Sequence, residues 1–235
     1  VLGGSSGFSW NDLVQVRAQI DDKISPGSIQ IRGFTPDENI VSSLDWGYGK
    51  PKDLVSEGSA ALWDNSAAKN PISLTIVDGD GATGTDDTFK TAGVDQDGRT
   101  FFLDLGSRVP ADSLVFFPRQ EGTYANGKPF SDDFVRKHRI SMNDGLTYSN
   151  EQPLFTLLRD IPVNPNSIFA MKFPQQFIRF VQLRVGSRNP FEIAEIELYG
   201  NGFVPRATYR SDIVNLGDVS NYGTITWAQR ALELV

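Results

Sequence analysis

Residues 193–199, Ile-Ala-Glu-Ile-Glu-Leu-Tyr, alternate strictly. Ile193, Glu195, Glu197 and Tyr199 fall on one side, and Ala194, Ile196 and Leu198 on the other. Period two over seven residues reads as a β-strand with one buried face, and Gly200-Asn201-Gly202 closes it. The same period recurs at 14–20, 29–34, 72–76 and 178–185. The runs are separated by turns drawn from 22 Gly and 13 Pro. A chain written this way is all-β with many turns, and 235 residues give one to two domains.

The pattern contains one anomaly. A charge beside a core must be paired, hydrogen-bonded or bound to a metal, so Glu195 either faces water or has a specific task. A second stretch answers it. Residues 77–83, Val-Asp-Gly-Asp-Gly-Ala-Thr, form an Asp-Gly-Asp turn ending in Thr. Residues 101–106 then give Phe-Phe-Leu-Asp-Leu-Gly, and 139–145 give Arg-Ile-Ser-Met-Asn-Asp-Gly, a strand running into an Asn-Asp-Gly turn. In this order, ending on 191–200, the chain resembles the discoidin family (coagulation factor 5/8 C-type, or galactose-binding-like, domains) over about residues 60–202. The resemblance implies an all-β jelly-roll β-sandwich, with additional β strands on its N- and C-terminal sides. One departure is local: where the family usually carries Trp two residues after the turn's Thr, this chain has Thr85, and the nearest aromatic residue is Phe89.

This divides the chain into an N-terminal β segment at 1–59 packing on the sandwich, the sandwich at 60–202, and C-terminal strands at 203–235. Residues 14–20 and 29–34 read as a hairpin. Residues 46–51 read as a loop and 71–77 as strand-like. Residues 101–105 and 114–117 read as separate strands, and so do 167–173 and 178–185. The strands after 203 either open a further β-domain or pair with the N-terminal hairpin.

Composition narrows the function. The formal net charge of −7 argues against nucleic acid and against anionic membrane surfaces. Without cysteine there is no disulfide, zinc-thiolate site or cysteine nucleophile. No run approaches the ~18 apolar residues of a membrane span. Asp-rich turns in an acidic chain suit hard cations such as calcium.

Gly79 and Gly81 permit a tight turn that presents oxygens inward. The resemblance implies that Asp78, Asp80 and Thr83 supply oxygens to a structural calcium ion, joined by the Glu195 carboxylate and the Ala194 carbonyl. The other reading is an ordinary Asp-Gly turn and a strand glutamate facing water. Asp86, Asp87, Asp95 and Asp97 form an acidic loop that reads as solvated. Sugar sites combine an aromatic platform with hydrogen-bonding side chains, and the family's ligands bind in loops at one end of the sandwich. Tyr124, Phe130, Tyr148, Arg188 and Asn189 are the candidates. His138, flanked by Arg136, Lys137 and Arg139, reads as a solvated or partner-facing edge.

Catalysis has little support. A Ser-His-Asp triad would have to use His138, the chain's one histidine. Glu195 and Glu197 lie about 6–7 Å apart at the backbone, a spacing open to an acid/base pair, but domains of the resembled family bind and do not catalyse. The expected function is a non-catalytic extracellular binding module, with a structural calcium ion and a glycan or cell-surface ligand. Two alternatives stand beside it. One is a structural subunit of a bacterial surface layer, sheath or appendage that pairs with neighbouring protein subunits. The other is an accessory domain of a larger glycosidase.

Overall fold

Two long strands organise the molecule. The structure, a computed structural model, describes residues 15–17, 28–30, 33–48, 60–65, 74–84, 95–204, 208–210 and 228–230. In chain order its strands are β1 (Gln15–Arg17), β2 (Ser28–Gln30), β3 (Gly33–Phe34), β4 (Trp46–Tyr48), β5 (Ala60–Asp64), β6 (Thr100–Phe117), β7 (His138–Asn143), β8 (Tyr148–Ser149), β9 (Gln152–Pro153), β10 (Thr156–Ile161), β11 (Phe169–Val185), β12 (Glu195–Tyr199), β13 (Gly202–Phe203), β14 (Thr208–Arg210) and β15 (Ala228–Arg230).

The chain divides into two units, Thr35–Asn201 and the paired ends Val1–Phe34 with Gly202–Val235. The first unit is an all-β sandwich built by bending one sheet. β6 and β11 run antiparallel along nearly their whole length, with irregularities at Lys172/Gln176 and Ile178/Phe180. Their neighbours change along the way. The first part of β6 takes β5 as partner, Ala61–Asp64 against Phe101–Asp104, and its last part takes β12. β7 lies beside only the second half of β11, and β10 follows it at the edge. The ladder thus passes from one layer, β4-β5-β6-β11-β7-β10, into another, β12-β6-β11.

The expected strands at 101–105 and 114–117 are one strand, and so are 167–173 and 178–185. Gly and Pro normally end or edge a strand. Here Gly106 donates its N–H to Asp104 Oδ1 at 2.9 Å, and the ladder resumes at Val109 and runs on through Pro110. Asp104 is itself buried and receives Arg179 Nε and Nη2 at 2.9 and 3.1 Å. This bidentate pair clamps β6 to β11 where they change layers. Phe101, Leu103, Ile140, Phe180, Phe191 and Ile193 are buried in the core, and Phe101 meets Phe191 edge to face.

Three local expectations are corrected. Leu74–Val77 is a 3-10 turn, not strand; Ile76 and Val77 are both buried, which period two forbids. Trp46–Tyr48, expected as loop, is a strand parallel to β5. The N-terminal strands do not pair with each other among the described residues. β1 pairs with β15, β2 with β14 and β3 with β13, all antiparallel. Pro71, Ile72, Thr85, Asp86, Asp87 and Phe89 lie outside the described residues, as do most of the strand candidates after Arg210.

Candidate functional site

The Asp-Gly-Asp turn follows the 3-10 turn directly, and β12 brings Glu195 to it. Gly79 adopts φ 84°, the left-handed region that favours glycine, and its N–H donates to Glu195 Oε2 at 2.9 Å. Within the turn, Asp78 Oδ1 accepts the Asp80 N–H at 2.8 Å and Asp80 Oδ1 accepts the Ala82 N–H at 3.0 Å. The Thr83 hydroxyl donates to the Asp80 carbonyl at 2.9 Å and lies 3.4 Å from Asp78 Oδ2. Ala194 is buried beside Glu195 and is tied to β6 through its own N–H on the Phe117 carbonyl. The structure therefore brings turn and strand glutamate together across more than a hundred residues.

Glu195 is only 1% exposed, so the water-facing reading is gone. Its Oε1 is buried without a hydrogen-bond partner among the described residues. Burial, and secondarily the nearby Asp78 and Glu197 carboxyls, push its pKa up to about 8 against the pull of the Gly79 N–H. Two acid groups facing each other with an unpartnered buried oxygen between turn and strand fit an oxygen-ligated cation. Among the described residues no group of three or more His, Cys, Asp or Glu side chains converges as a metal cluster. Carbonyl or hydroxyl oxygens would have to complete the set, which is calcium's donor chemistry.

A second buried carboxylate lies three residues earlier. Glu192 is 0% exposed. It receives Arg119 Nε at 2.6 Å, Arg119 Nη2 at 2.9 Å, the Tyr124 hydroxyl at 3.0 Å and the Arg119 N–H at 3.3 Å. The Arg119 guanidinium also lies 3.6 Å from the Phe130 ring centre, and Phe130 meets Tyr124 edge to face. Burial, then the Glu192 carboxylate, push the Tyr124 hydroxyl's pKa well up. Tyr124 and Phe130, expected as sugar contacts, are thus committed to their own loop. Gly84 closes the Asp turn against this cluster; a Cβ there would meet Glu192 Oε1 at 2.4 Å.

The other sugar candidates scatter. Arg188 pairs with Asp95 at 3.1 Å on an exposed surface, and Asn189 beside it is exposed. Tyr148 meets Phe180 edge to face. It stands next to a groove of about 290 Å³ lined by Asp144, Thr147, Thr156 and Gln176 with Leu154 and Leu157. Asn143 holds the groove's loop: its amide donates to the Thr147 and Leu154 carbonyls, both at 2.8 Å, and its Oδ1 accepts the Gly145 N–H at 2.7 Å. Asp144 spends Oδ1 on the Leu146 N–H at 2.9 Å. Leu154 and Leu157 are 54% and 55% exposed at its rim.

His138 is corrected outright. It is 0% exposed, with neither ring nitrogen partnered among the described residues. Its ring packs edge-on against Phe116 and Phe169 between the layers. Burial drives its pKa down to about 4, partly opposed by Asp160.

The sequence alone missed Glu192 and Arg119. Glu192 stands just outside the alternating run, and its partner is 73 residues away. It also missed the groove, whose polar residues are spread over three strands and a turn.

No family model and no curated protein matches this sequence. Several solved structures are similar. The family 32 carbohydrate-binding module of Clostridium perfringens NanJ, in complex with galactose, aligns at TM-score 0.44 and 16% identity over 60% of this chain and 93% of that one. CpGH89CBM32-5 from Clostridium perfringens, in complex with GalNAc-β-1,3-galactose, aligns at 0.42 and 14% over 60% and 95%. Chitosan-binding module 2 of a Paenibacillus sp. IK-5 chitosanase/glucanase, in complex with chitotriose, aligns at 0.42 and 16% over 63% and 100%. Likeness at this level transfers no residue role to this chain.

Proposed function

We propose that the Thr35–Asn201 unit is a non-catalytic, extracellular glycan-binding module whose loops are tied by a structural calcium ion. The observation that carries the binding role is the groove beside Tyr148. Its apolar rim of Leu154 and Leu157 lies next to Asp144, Thr147, Thr156 and Gln176. The last three make no side-chain hydrogen bond among the described residues, and neither does the second oxygen of Asp144. A pyranose offers the matching surface, with C–H groups on its faces and hydroxyls around its edge. Ligand sites combine apolar walls with a few placed polar groups in this way.

The calcium half of the reading is supported by the buried, half-partnered Glu195. Asp78, Asp80 and Thr83 with Glu195 and the Ala194 carbonyl would hold the ion. When bound it would supply charge compensation for Glu195 and tie the turn to β12.

The test is a titration of the calcium-loaded protein with neutral hexoses, N-acetylhexosamines and their oligosaccharides, followed by backbone amide NMR. Saturable shifts confined to 142–158 and 176–178, at least tenfold weaker in Thr156→Val or Gln176→Ala, are expected. A tenfold loss corresponds to about 1.4 kcal/mol. A panel that leaves those amides unmoved defeats the glycan reading.

A second reading, a scaffold subunit, is favoured by one feature. β10 is the edge of its layer and is exposed along most of its length, and an uncovered edge is a template for another chain. Sedimentation that stays monomeric at high concentration speaks against it.

A further inference from the structure

The outer face of the sandwich carries a row of charges across three adjacent strands. Asp160 on β10 stands opposite Arg139 on β7, and Arg139 stands opposite Arg184 on β11. Arg139 gives its Nε to Asp160 Oδ2 at 2.9 Å. Arg184 faces the same Arg139, and among the described residues it makes no ion pair. Lys137 stands in the same position: its stem lies along Gly186, where an added Cβ would touch its Cγ at 3.1 Å, and it too makes no ion pair among the described residues.

Between these groups opens a cavity of about 130 Å³, lined by Asp97, Lys137, Arg139, Asp160, Arg184 and Gly186. Like charges directly opposed on neighbouring strands destabilise a sheet. The chain has 29 acidic residues against 22 basic ones, yet this hollow gathers three cations. One of its two carboxylates is committed to Arg139, which leaves Asp97 against Lys137 and Arg184. A guanidinium fork matches a planar or tetrahedral oxyanion in two hydrogen bonds. The space, equal to roughly four waters of liquid volume, suits such a group rather than a whole sugar ring.

We infer that this cavity binds an oxyanion, a carboxylate or sulfate group, through Arg184 and Lys137 with Arg139 at its side. The site is separate from the groove beside Tyr148 and stands whether or not that groove takes a glycan. The anion has two sources, a free ion or the acid group of a saccharide.

The experiment titrates the full chain with sodium sulfate and with sodium glucuronate, against sodium chloride at matched ionic strength. It follows the amides of Arg139, Arg184 and Gly186 and the ring protons of His138, the chain's one histidine, which sits next to Arg139. Saturable shifts with either oxyanion, absent with chloride, support the site. A midpoint at least tenfold lower for glucuronate identifies a saccharide acid, and equal midpoints identify a free anion. Arg184→Gln is expected to weaken binding at least tenfold and Arg184→Lys less. Should Arg184→Gln fail to fold, Lys137→Gln carries the same comparison. Chloride shifting the same amides equally, or either Gln variant binding as the parent does, overturns the inference.

Discussion

Glu192 and Glu195 are three residues apart, and both are buried, yet the molecule treats them oppositely. Glu192 is completed from within: a guanidinium, a phenol and a backbone N–H supply its oxygens with four hydrogen bonds. Among the described residues Glu195 accepts one, from Gly79, and its other oxygen has none. Leaving a buried carboxylate unpaired is costly. The contrast shows two ways to settle an acid in a β-sandwich. One supplies its counter-charge from the chain, and the other leaves a place that a cation would fill. Gly84, against which the first cluster packs, ties both to the same turn.

The comparison can be broken most sharply on its self-contained side. Arg119→Met is expected to cost about 3–5 kcal/mol, because it removes the counter-charge of the buried Glu192. The loss should be the same with calcium or chelator, measured by urea unfolding. A loss that calcium restores would merge the two corners and remove the distinction.

A third buried titratable group sharpens the reading from another side. His138 has its folded pKa lowered to about 4 from 6.5. Its neutral form is favoured in the folded state, so its stabilisation is fully present above pH 6.5. It is lost as pH falls from there toward 4, while the unfolded chain takes up the proton. The difference amounts to at most about 3 kcal/mol. His138→Phe, which keeps an aromatic ring against Phe116 and Phe169, should flatten that stretch of the pH–stability curve. An unchanged curve would place the acid sensitivity elsewhere.

Next in size is the cation itself. Calcium at a hundred times its dissociation constant should stabilise the protein by about 2.7 kcal/mol, read as a rise in melting midpoint that a chelator reverses. Asp80→Ala and Glu195→Gln should each abolish that rise. Glu195→Gln should melt no lower than the chelated parent, since it puts a neutral amide where burial already favours the protonated carboxyl. A protein shown to be metal-free whose midpoint ignores calcium would reduce the Asp turn to a turn. The smallest effect belongs to the exposed Arg139–Asp160 pair. Breaking it with Asp160→Asn should change stability by about 0.2–1 kcal/mol.

The sequence made the Glu195 corner legible because local rules write it. Alternation places the glutamate in mid-strand, and Asp-Gly-Asp spells its own turn. The Glu192 corner was not legible, because no local pattern joins residue 192 to residue 119; only the folded sandwich does. His138 shows a subtler failure. Its basic neighbours Lys137 and Arg139 suggested a wet edge, but in a strand residues one apart face opposite ways. The strand at 101–105 reads as closed by Gly106, a residue that usually stops a ladder. It continues because Asp104 accepts the Gly106 N–H and pairs with Arg179. At 74–77 the apolar spacing was compatible with a strand, and the adjacent burial of Ile76 and Val77 decided for a turn. The groove beside Tyr148 draws short runs of residues from β7, β10, β11 and an intervening turn, an assembly that periodicity does not encode.

The pairing of the chain's two ends has a consequence for how the molecule is made. β1, β2 and β3 find their described partners only in β15, β14 and β13, so the residues between them must be synthesised before any of these pairs can close. If the intervening chain were slack, bringing its ends together would cost roughly 4–5 kcal/mol in lost entropy. It is not slack once the sandwich has formed. Ile40 then donates its N–H to the Leu198 carbonyl, and Asn39 accepts from the Leu198 N–H, which holds the neighbourhoods of both junctions side by side. The sandwich thus works as a clasp: its own folding converts a pairing between segments distant in sequence into a nearly local one.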